Sequence, residues 1–413
     1  MKKILAYAFL FFAALAPRAD SFDSAFGRAP EVSAKEADAI KEAAAAATQD
    51  EAEKILAEAA LHKWAGAAVF FNLGNVRMNK GNTDAAIGDY KKALEKIPSF
   101  FAAQKNLAFA YARKNDEKAA FSEMKKTLAL SGGGDVQTLL WFVSYHASRR
   151  DFSAALSLCN QALIYDPSDS AAQSAKAAFL CELGNYAESE KICLNILGAG
   201  YDERAAKILG RARAMRGDYV GAISVFEILR KNSKLSAAEV SFLADLYFKK
   251  ELYKIAAERY LEGGNFASAE NAAYAQIKSG DAEAALKTSA ALKSPQARKV
   301  RGVAYMTLGD NAAAHSELSG YLKDSPADSY AALCLANVCL RLERFLEAEE
   351  CFARASEDPN LRLSAQYGIL RSCAARGDFK KALALAQSIS KKYPDEEISD
   401  YVKYLRQYVS EME

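Results

Sequence analysis

Small residues recur along this chain at a nearly constant interval, and this recurrence constrains the fold more than any other feature of the sequence. The recurring residues are Ala52, Ala86, Ala120, Ala155, Ser189, Ala222, Ala256, Ala285, Ala314, Ala348 and Ala382. Their successive intervals are 34, 34, 35, 34, 33, 34, 29, 29, 34 and 34 residues. A period of about 20 to 50 residues is typical of repeat proteins, in which each unit is one supersecondary element. The chain is therefore predicted to be one repeat array rather than several globular domains.

Glycine and proline mark the ends of the two helices expected in each repeat. Glycine stands five residues before the small residue in six units, where it can end a helix in the left-handed conformation: Gly81, Gly184, Gly217, Gly280, Gly309 and Gly377. Proline stands about twelve residues after the small residue in several units. Because proline does not fit the interior of a helix, these positions should lie between helices: Pro98, Pro167, Pro326 and Pro394, with Pro359 one place early. Each unit is predicted to be a helix, a glycine turn, a second helix and a proline turn.

This pattern resembles the tetratricopeptide repeat family. The clearest unit, residues 67–100, carries the family's signature residues at their usual spacings: Phe70, Leu73, Gly74, Gly81, Ala86, Tyr90, Ala93 and Pro98. The resemblance implies an all-α fold, a right-handed superhelical solenoid of stacked helix–turn–helix hairpins. One hairpin cannot bury its own apolar face, so each must stack on the next.

The array is predicted to occupy most of the chain. We expect a signal peptide over residues 1–21, a lead-in over 22–32, a degenerate helical hairpin over 33–66, a solenoid over 67–396 and a capping helix over 397–413. The ten solenoid units are expected to start near residues 67, 101, 136, 170, 203, 237, 266, 295, 329 and 363. The two 29-residue intervals suggest shorter turns between helices. The turn Gly263–Asn265 is the candidate hinge between two sub-arrays.

The first 21 residues have the layout of a secretory signal. Two lysines precede an apolar run over residues 4–16, and the small residues Ala19 and Ser21 follow it. Thirteen apolar residues are too few to span a bilayer, since a helix needs about 20. An uncleaved anchor and a buried helix are the alternatives. We expect a periplasmic or secreted protein.

Composition excludes several kinds of function. The 54 basic and 52 acidic residues give a net charge of +2, which argues against nucleic acid as a partner. We find no phosphate-binding loop, zinc helix or nucleophile elbow, so we expect no enzyme, metal or cofactor. The three histidines, His62, His146 and His315, are interpreted as structural or surface residues. The seven cysteines are interpreted as small buried residues, although a bridge such as Cys339 with Cys373 stays open.

Binding is the more natural function for such an array. In the family's geometry the first helix of each unit lines the concave face, which implies a groove formed by Phe71, Asn72, Asn75, Lys105, Asn106, Phe109, Arg113 and Trp141. The two asparagines Asn75 and Asn106 match the family's carboxylate clamp. The clamp's basic positions, however, hold Phe71, Gln137 and Trp141, so capture of a C-terminal carboxylate is rejected. A second candidate patch is the basic stripe Arg204, Lys207 and Arg211.

Two functions remain open. The first is a non-enzymatic scaffold of the cell envelope that binds partner proteins on the concave face. The second is a module for an envelope polysaccharide or another ligand within an export or assembly apparatus.

Some residues depart from the family pattern. Lys176 and Arg301 occupy the slot of Leu73, while Arg77 and Arg213 occupy the slot of Tyr111 and Tyr305. Either these long basic side chains extend outward over buried stems, or the register differs by a residue near 170 and 295.

Overall fold

The computed structural model describes residues 30–412, and these contain 23 helices and no strand. The predicted signal peptide lies outside the described residues. Counted in chain order, the helices give eleven helix–turn–helix repeats, numbered below as hairpins, and one further helix follows the last repeat. The prediction of an all-α repeat solenoid is confirmed. The chain forms two compact units, which meet in sequence between Arg216 and Gly217 and not at Gly263–Asn265.

The first unit contains five complete hairpins and the first helix of the sixth. Each helix packs against the next, and some first helices also contact the first helix of the following hairpin. The helices are α1 (Ala34–Ala45), α2 (Gln49–Ala59), α3 (Ala67–Asn79), α4 (Thr83–Lys96), α5 (Phe101–Arg113), α6 (Glu117–Leu130), α7 (Val136–Ser148), α8 (Phe152–Tyr165), α9 (Ser170–Glu182), α10 (Tyr186–Ala199) and α11 (Glu203–Met215).

The second unit begins with the second helix of the sixth hairpin and ends with the unpaired helix. Its helices also pack in chain order. They are α12 (Tyr219–Asn232), α13 (Ala237–Lys249), α14 (Tyr253–Glu262), α15 (Phe266–Lys278), α16 (Ala282–Ser289), α17 (Pro295–Leu308), α18 (Asn311–Asp324), α19 (Ser329–Arg341), α20 (Phe345–Ala355), α21 (Arg362–Ala375), α22 (Phe379–Lys392) and α23 (Glu396–Met412). No helix within residues 30–412 has the length and apolar character needed to cross a bilayer.

The turn inside each hairpin from the second to the eleventh contains a left-handed residue. All six glycines predicted to stop a first helix have φ between 83° and 85°. In the other four of these hairpins, the same conformation is adopted by Asn115, Arg150, Glu251 and Glu343. Most second helices then begin at an aspartate or asparagine whose side chain accepts a backbone N–H bond, as Asp116 does from Ala119. Turn and cap together explain why the hairpin recurs with so little sequence identity between units.

Small residues allow the two helices of a hairpin to approach closely. Gly74 lies under the ring of Tyr90, and a Cβ atom at this position would be 2.7 Å from the ring. The recurring alanines, such as Ala86 and Ala120, are fully buried. The period of the sequence is therefore the period of helix–helix contact.

The two 29-residue intervals arise mainly from shorter helices, and shorter turns account for one residue at most. The first interval contains the turns 263–265 and 279–281, of three residues each, and the second contains 290–294 and 309–310, of five and two. The interval from Ala86 to Ala120 contains turns of four and three residues, 97–100 and 114–116. The second helices differ: α14 has 10 residues and α16 has 8, whereas α4 has 14. The shortening falls on the second helix, while α13 and α15 keep 13 residues each.

The four basic residues that depart from the family pattern, Lys176 among them, are in register. Arg77, Arg213 and Arg301 are paired with carboxylates. Arg77 bonds to Glu53 at 2.9 Å and to Asp89 at 2.8 Å, and thereby links two hairpins. Arg213 bonds to Glu190 at 2.8 Å in the same relative position. These arginines therefore replace an aromatic contact with a part-buried ion pair.

Arg301 binds backbone carbonyls as well as a carboxylate. Its guanidinium binds both carboxylate oxygens of Glu317, at 2.9 and 3.1 Å. It also donates to the backbone oxygens of Ser289 and Leu292, each at 2.9 Å. These carbonyls lie at and just beyond the end of the short helix α16. Arg301 thus satisfies acceptors that the shortened helix leaves open.

Candidate functional site

The polar part of the predicted groove is a connected set of side chains on α3, α4 and α5. The Tyr90 hydroxyl donates to Asn75 Oδ1 at 2.9 Å, and Asn106 Nδ2 donates to the same oxygen at 2.8 Å. Burial raises the pKa of Tyr90 well above its usual value, so the hydroxyl stays protonated and keeps its donor role. Asn75 and Asn106 are thereby held side by side across two consecutive hairpins.

Asn72 extends this set along α3. Its Nδ2 donates to the Ala68 carbonyl at 2.8 Å, which fixes the amide along its own helix. Asn72, Asn75 and Asn106 are all half-buried. Within residues 30–412, Asn75 Nδ2 and the Oδ1 atoms of Asn72 and Asn106 have no hydrogen-bond partner. This amide row therefore keeps both a donor and acceptors available.

The aromatic residues of the predicted groove belong mainly to the core. Phe71, Phe109 and Trp141 are 7%, 7% and 5% exposed. The Phe71 ring lies 4.9 Å from that of Phe100, and Trp141 packs edge-on against Phe142. These rings hold neighbouring hairpins together and give a ligand little ring surface.

Tyr145 is an exception that the sequence reasoning missed. Its ring is half-exposed, stacks on Trp141 at a centroid distance of 5.5 Å, and carries the Arg149 guanidinium 3.7 Å from its centre. The signal available in the sequence is its position one helical turn after Trp141, on the same face of α7.

The two cations of the predicted groove bridge hairpins. Lys105 pairs with Asp135, the N-cap of α7, at 2.9 Å. Arg113 donates to the Met78 carbonyl at 2.9 Å. Both contacts connect one hairpin with a neighbour and help to hold the first helices in place.

The predicted basic stripe lies apart in sequence, on α11. Arg204 and Arg211 are exposed, while Lys207 is half-buried and pairs with Glu203 at 2.7 Å. The stripe lies on α11, whereas the polar side chains of the groove lie on α3, α4 and α5.

The histidines and cysteines give one further grouping. All seven cysteines are free, and six are buried. His62 is exposed and stacks on Trp64 at 5.2 Å, and His146 lies 3.2 Å from Asp151. His315, by contrast, lies with Cys339 and Glu347, whose ligand atoms are all within 4.8 Å of one another. Sequence reasoning missed this cluster because its members come from three helices.

Tetratricopeptide repeat models match the sequence over residues 71–135, 146–212, 299–362 and 335–397. These stretches cover more than half of the chain. The chain belongs to the tetratricopeptide repeat family. The family consists of interaction scaffolds that are typically non-catalytic, and its repeats support a protein–protein interaction role here. No curated protein matches the sequence significantly.

Several solved structures share the repeat fold. One is a tetratricopeptide repeat protein from Parabacteroides merdae, at 16% identity over 66% of this chain and 98% of that chain, with a TM-score of 0.37. Another is Pseudomonas aeruginosa pilF, at 20% identity over 48% and 89%, with a TM-score of 0.40. A third is YrrB, described as having an unusual peptide-binding site, at 18% identity over 42% and 89%, with a TM-score of 0.37.

Proposed function

We propose that this protein is an exported, non-enzymatic scaffold of the cell envelope that binds a partner polypeptide along the first helices α3 and α5. The amide row Asn72, Asn75 and Asn106 is the observation that carries this proposal. An extended polypeptide presents alternating N–H donors and C=O acceptors. The row offers the complementary groups: the donor Asn75 Nδ2 and the acceptors Asn72 Oδ1 and Asn106 Oδ1.

Preorganisation favours this surface over other polar surfaces of the chain. Asn75 and Asn106 are fixed to each other and to Tyr90, and Asn72 is fixed to its own helix. Binding would therefore immobilise few additional rotamers on the protein side, which lowers the entropic cost of association. Tyr145 supplies a half-exposed ring on α7 for an apolar or cationic side chain of the partner.

The place of action is proposed from the first residues of the chain. The basic start, the apolar run and the small residues of 1–21 are typical of a secretory signal, so we propose a periplasmic or secreted location. The basic stripe Arg204, Lys207 and Arg211 is proposed as a secondary contact for an acidic segment of the partner.

A polysaccharide ligand is the second candidate. The stacked rings of Trp141 and Tyr145 support it, because a partly exposed aromatic face is a common platform for an apolar ring face. Only Tyr145 of this pair presents ring surface, and the amide row then has no defined role. The polypeptide is therefore the preferred partner.

Capture from an envelope fraction tests the proposal. The purified chain is cross-linked mildly to its partners, and the wild type is compared with the double variant Asn72→Ala, Asn106→Ala. This pair leaves the Tyr90–Asn75 bond intact, so the hairpin keeps its buried hydrogen bond. Asn160→Ala with Asn195→Ala is the matched control, because both residues are exposed amides on second helices.

We expect the double variant to lose most of the captured polypeptide while the control keeps it. Equal capture by both variants would show that the amide row is not the binding site. Recovery of glycan alone, with no polypeptide, would support the second candidate and refute the first.

A further inference from the structure

Metal-ligating side chains converge where the ninth hairpin, α17–α18, meets the tenth, α19–α20. His315 lies on α18, Cys339 on α19 and Glu347 on α20, and their ligand atoms are within 4.8 Å of one another. Cys339 is fully buried, and the side chains of His315 and Glu347 are 19% and 35% exposed. The cluster is thus shielded but can be reached from solvent on one side.

The same positions hold an ion-pair network at the junction between the first and second hairpins. Arg77 is the eleventh residue of α3, Glu53 the fifth of α2 and Asp89 the seventh of α4, and the arginine bonds to both acids. The equivalent residues of the later junction are, in the same order, Cys339, His315 and Cys351. Three charged positions that join two hairpins are therefore replaced by a histidine and two thiols.

Cys351 is a second thiol on α20, one helical turn after Glu347, and it is buried. Among the described residues, the ligand atoms that lie within 4.8 Å of one another are those of His315, Cys339 and Glu347. Three protein ligands leave the fourth position of a tetrahedral metal ion to solvent.

Two protein groups of opposite charge compete for one nitrogen of His315. Its Nε2 lies 2.7 Å from Glu347 Oε1 and 3.1 Å from Arg344 Nη1. One imidazole nitrogen cannot donate to a carboxylate and accept from a guanidinium at the same time. A cation placed between the imidazole and the carboxylate satisfies both of their lone pairs.

We propose that His315, Cys339 and Glu347 bind one divalent transition-metal ion of the zinc type, with solvent at its fourth position, and that this ion fastens the ninth hairpin to the tenth. Nitrogen, sulfur and carboxylate donors together are the set that zinc takes, at about 2.0–2.3 Å from the metal. Calcium and magnesium take oxygen ligands and do not match this set. The ion takes the structural place that the Arg77 ion pairs take at the earlier junction.

Arg344 is the one cation beside the cluster, among the described contacts of its members. Its side chain is 54% exposed, and it also lies 3.5 Å from Glu347 Oε2. An exposed guanidinium can turn into solvent when a metal ion enters. Replacement of Arg344 by glutamine should therefore strengthen metal binding rather than weaken it.

Cobalt titration tests the site directly. The purified chain is reduced, stripped with a chelator and titrated with Co²⁺, followed by Zn²⁺. We expect one Co²⁺ per chain, with a thiolate-to-cobalt charge-transfer band and visible absorption of four-coordinate cobalt, both of which Zn²⁺ abolishes. Zinc should also raise the thermal midpoint of unfolding of the wild type.

Single variants assign the ligands. Cys339→Ser should remove the charge-transfer band, and His315→Gln and Glu347→Gln should weaken binding at least about tenfold. Cys334→Ser is the matched control, because this thiol is also buried on α19 but lies outside the cluster. Its cobalt spectrum and affinity should equal those of the wild type.

Two results would overturn the proposal. One is the absence of stoichiometric cobalt binding by reduced wild-type chain. The other is a cobalt spectrum and affinity that Cys339→Ser and His315→Gln leave unchanged, which would place the metal elsewhere.

Discussion

The second hairpin, α3–α4, and the eighth, α15–α16, have first helices of equal length but second helices of different length. Both first helices have 13 residues, whereas α4 has 14 residues and α16 has 8. In the longer hairpin the ring of Tyr90 covers Gly74. In the shorter one the equivalent positions hold Ser289, the last residue of α16, and Ala273. A small final side chain therefore replaces the aromatic ring.

A side chain of the next hairpin binds the end of the shorter helix. The carbonyls at the end of α16 have no further helical turn to bond to, and Arg301 of α17 donates to two of them. The same slot holds Leu73 in α3, which follows a second helix of 11 residues. The first helix is thus the constant part of the repeat. The second helix can shorten when a donor from the following hairpin binds its exposed end.

Among the substitutions that test this comparison, replacement of Arg301 by leucine should change the free energy of unfolding most. Leucine is the residue found at the same slot in α3. Here it leaves Glu317 and the Leu292 carbonyl without the Arg301 donor, while the Ser289 carbonyl keeps only the N–H of Leu292. We expect the free energy of unfolding to fall by about 2–4 kcal/mol. Urea unfolding measures the loss, and amide hydrogen exchange should show faster exchange in α16 than in α4.

Arg298→Leu is the control for this change. Arg298 lies on the same helix but is exposed, and its nearest carboxylate oxygen, of Asp324, is 3.8 Å away. A change of less than about 0.5 kcal/mol is expected there. Equal losses in both variants would mean that Arg301 acts as a general surface charge and does not cap α16.

Substitution of Gly74 by alanine tests the close approach in the longer hairpin. The new methyl group would lie 2.7 Å from the Tyr90 ring, so the ring must shift. We expect a loss of about 1–3 kcal/mol. Gly88→Ala in α4 has no atom within 4 Å and should instead stabilise the chain by about 0.5–1 kcal/mol. Thermal unfolding of the two variants should therefore shift in opposite directions, and a parallel shift would contradict this account.

Glu251, in the turn of the seventh hairpin, allows a test of the turn with a smaller expected change in stability. It has φ of 60°, where the second and eighth hairpins have Gly81 and Gly280 at 83° and 85°. Glu251 is exposed, so Glu251→Gly removes mainly the steric cost of the left-handed backbone. We expect a gain of about 0.5–1 kcal/mol in the free energy of unfolding. A loss of stability would indicate a side-chain contact of Glu251 that holds the turn.

The pH dependence of Asp89 should give the smallest effect. Burial raises the pKa of Asp89, although the Arg77 ion pair opposes this change. The folded state therefore binds a proton at Asp89 more readily than the unfolded state does. As the pH falls from neutral towards about 4, the wild type should gain stability relative to Asp89→Asn. Urea unfolding at several pH values measures this difference, and a relative loss would show that the ion pair dominates.

The repeat architecture was predictable because its signals are periodic and local. The recurring alanines and the six glycines specify helix contacts and left-handed turns, and both are confirmed. The cause of the 29-residue intervals was not predictable in the same way. A missing turn of helix and a shorter loop remove similar numbers of residues, and only the bounds of the helices in the structure distinguish them.

The candidate sites were less predictable, because they depend on which side chains meet across hairpins. The family pattern places Asn75 and Asn106 on first helices, but their mutual bond appears only in the structure. The rings of Phe71 and Trp141 were expected to line the groove, and they are buried between helices. His315 was interpreted without a partner because 24 residues separate it from Cys339 in sequence. Contacts of this kind follow from stacking, which a linear pattern does not display.

Position-specific photo-cross-linking tests the central claim most directly, namely that α3 and α5 bind a polypeptide. A photoreactive residue is placed at Asn72, on the amide row, or at Asn160, on the exposed side of α8, and the chain is irradiated in its native envelope. We predict a polypeptide adduct from position 72 that is absent or much weaker from position 160. No adduct at position 72, or adducts of equal yield at both positions, would contradict the account.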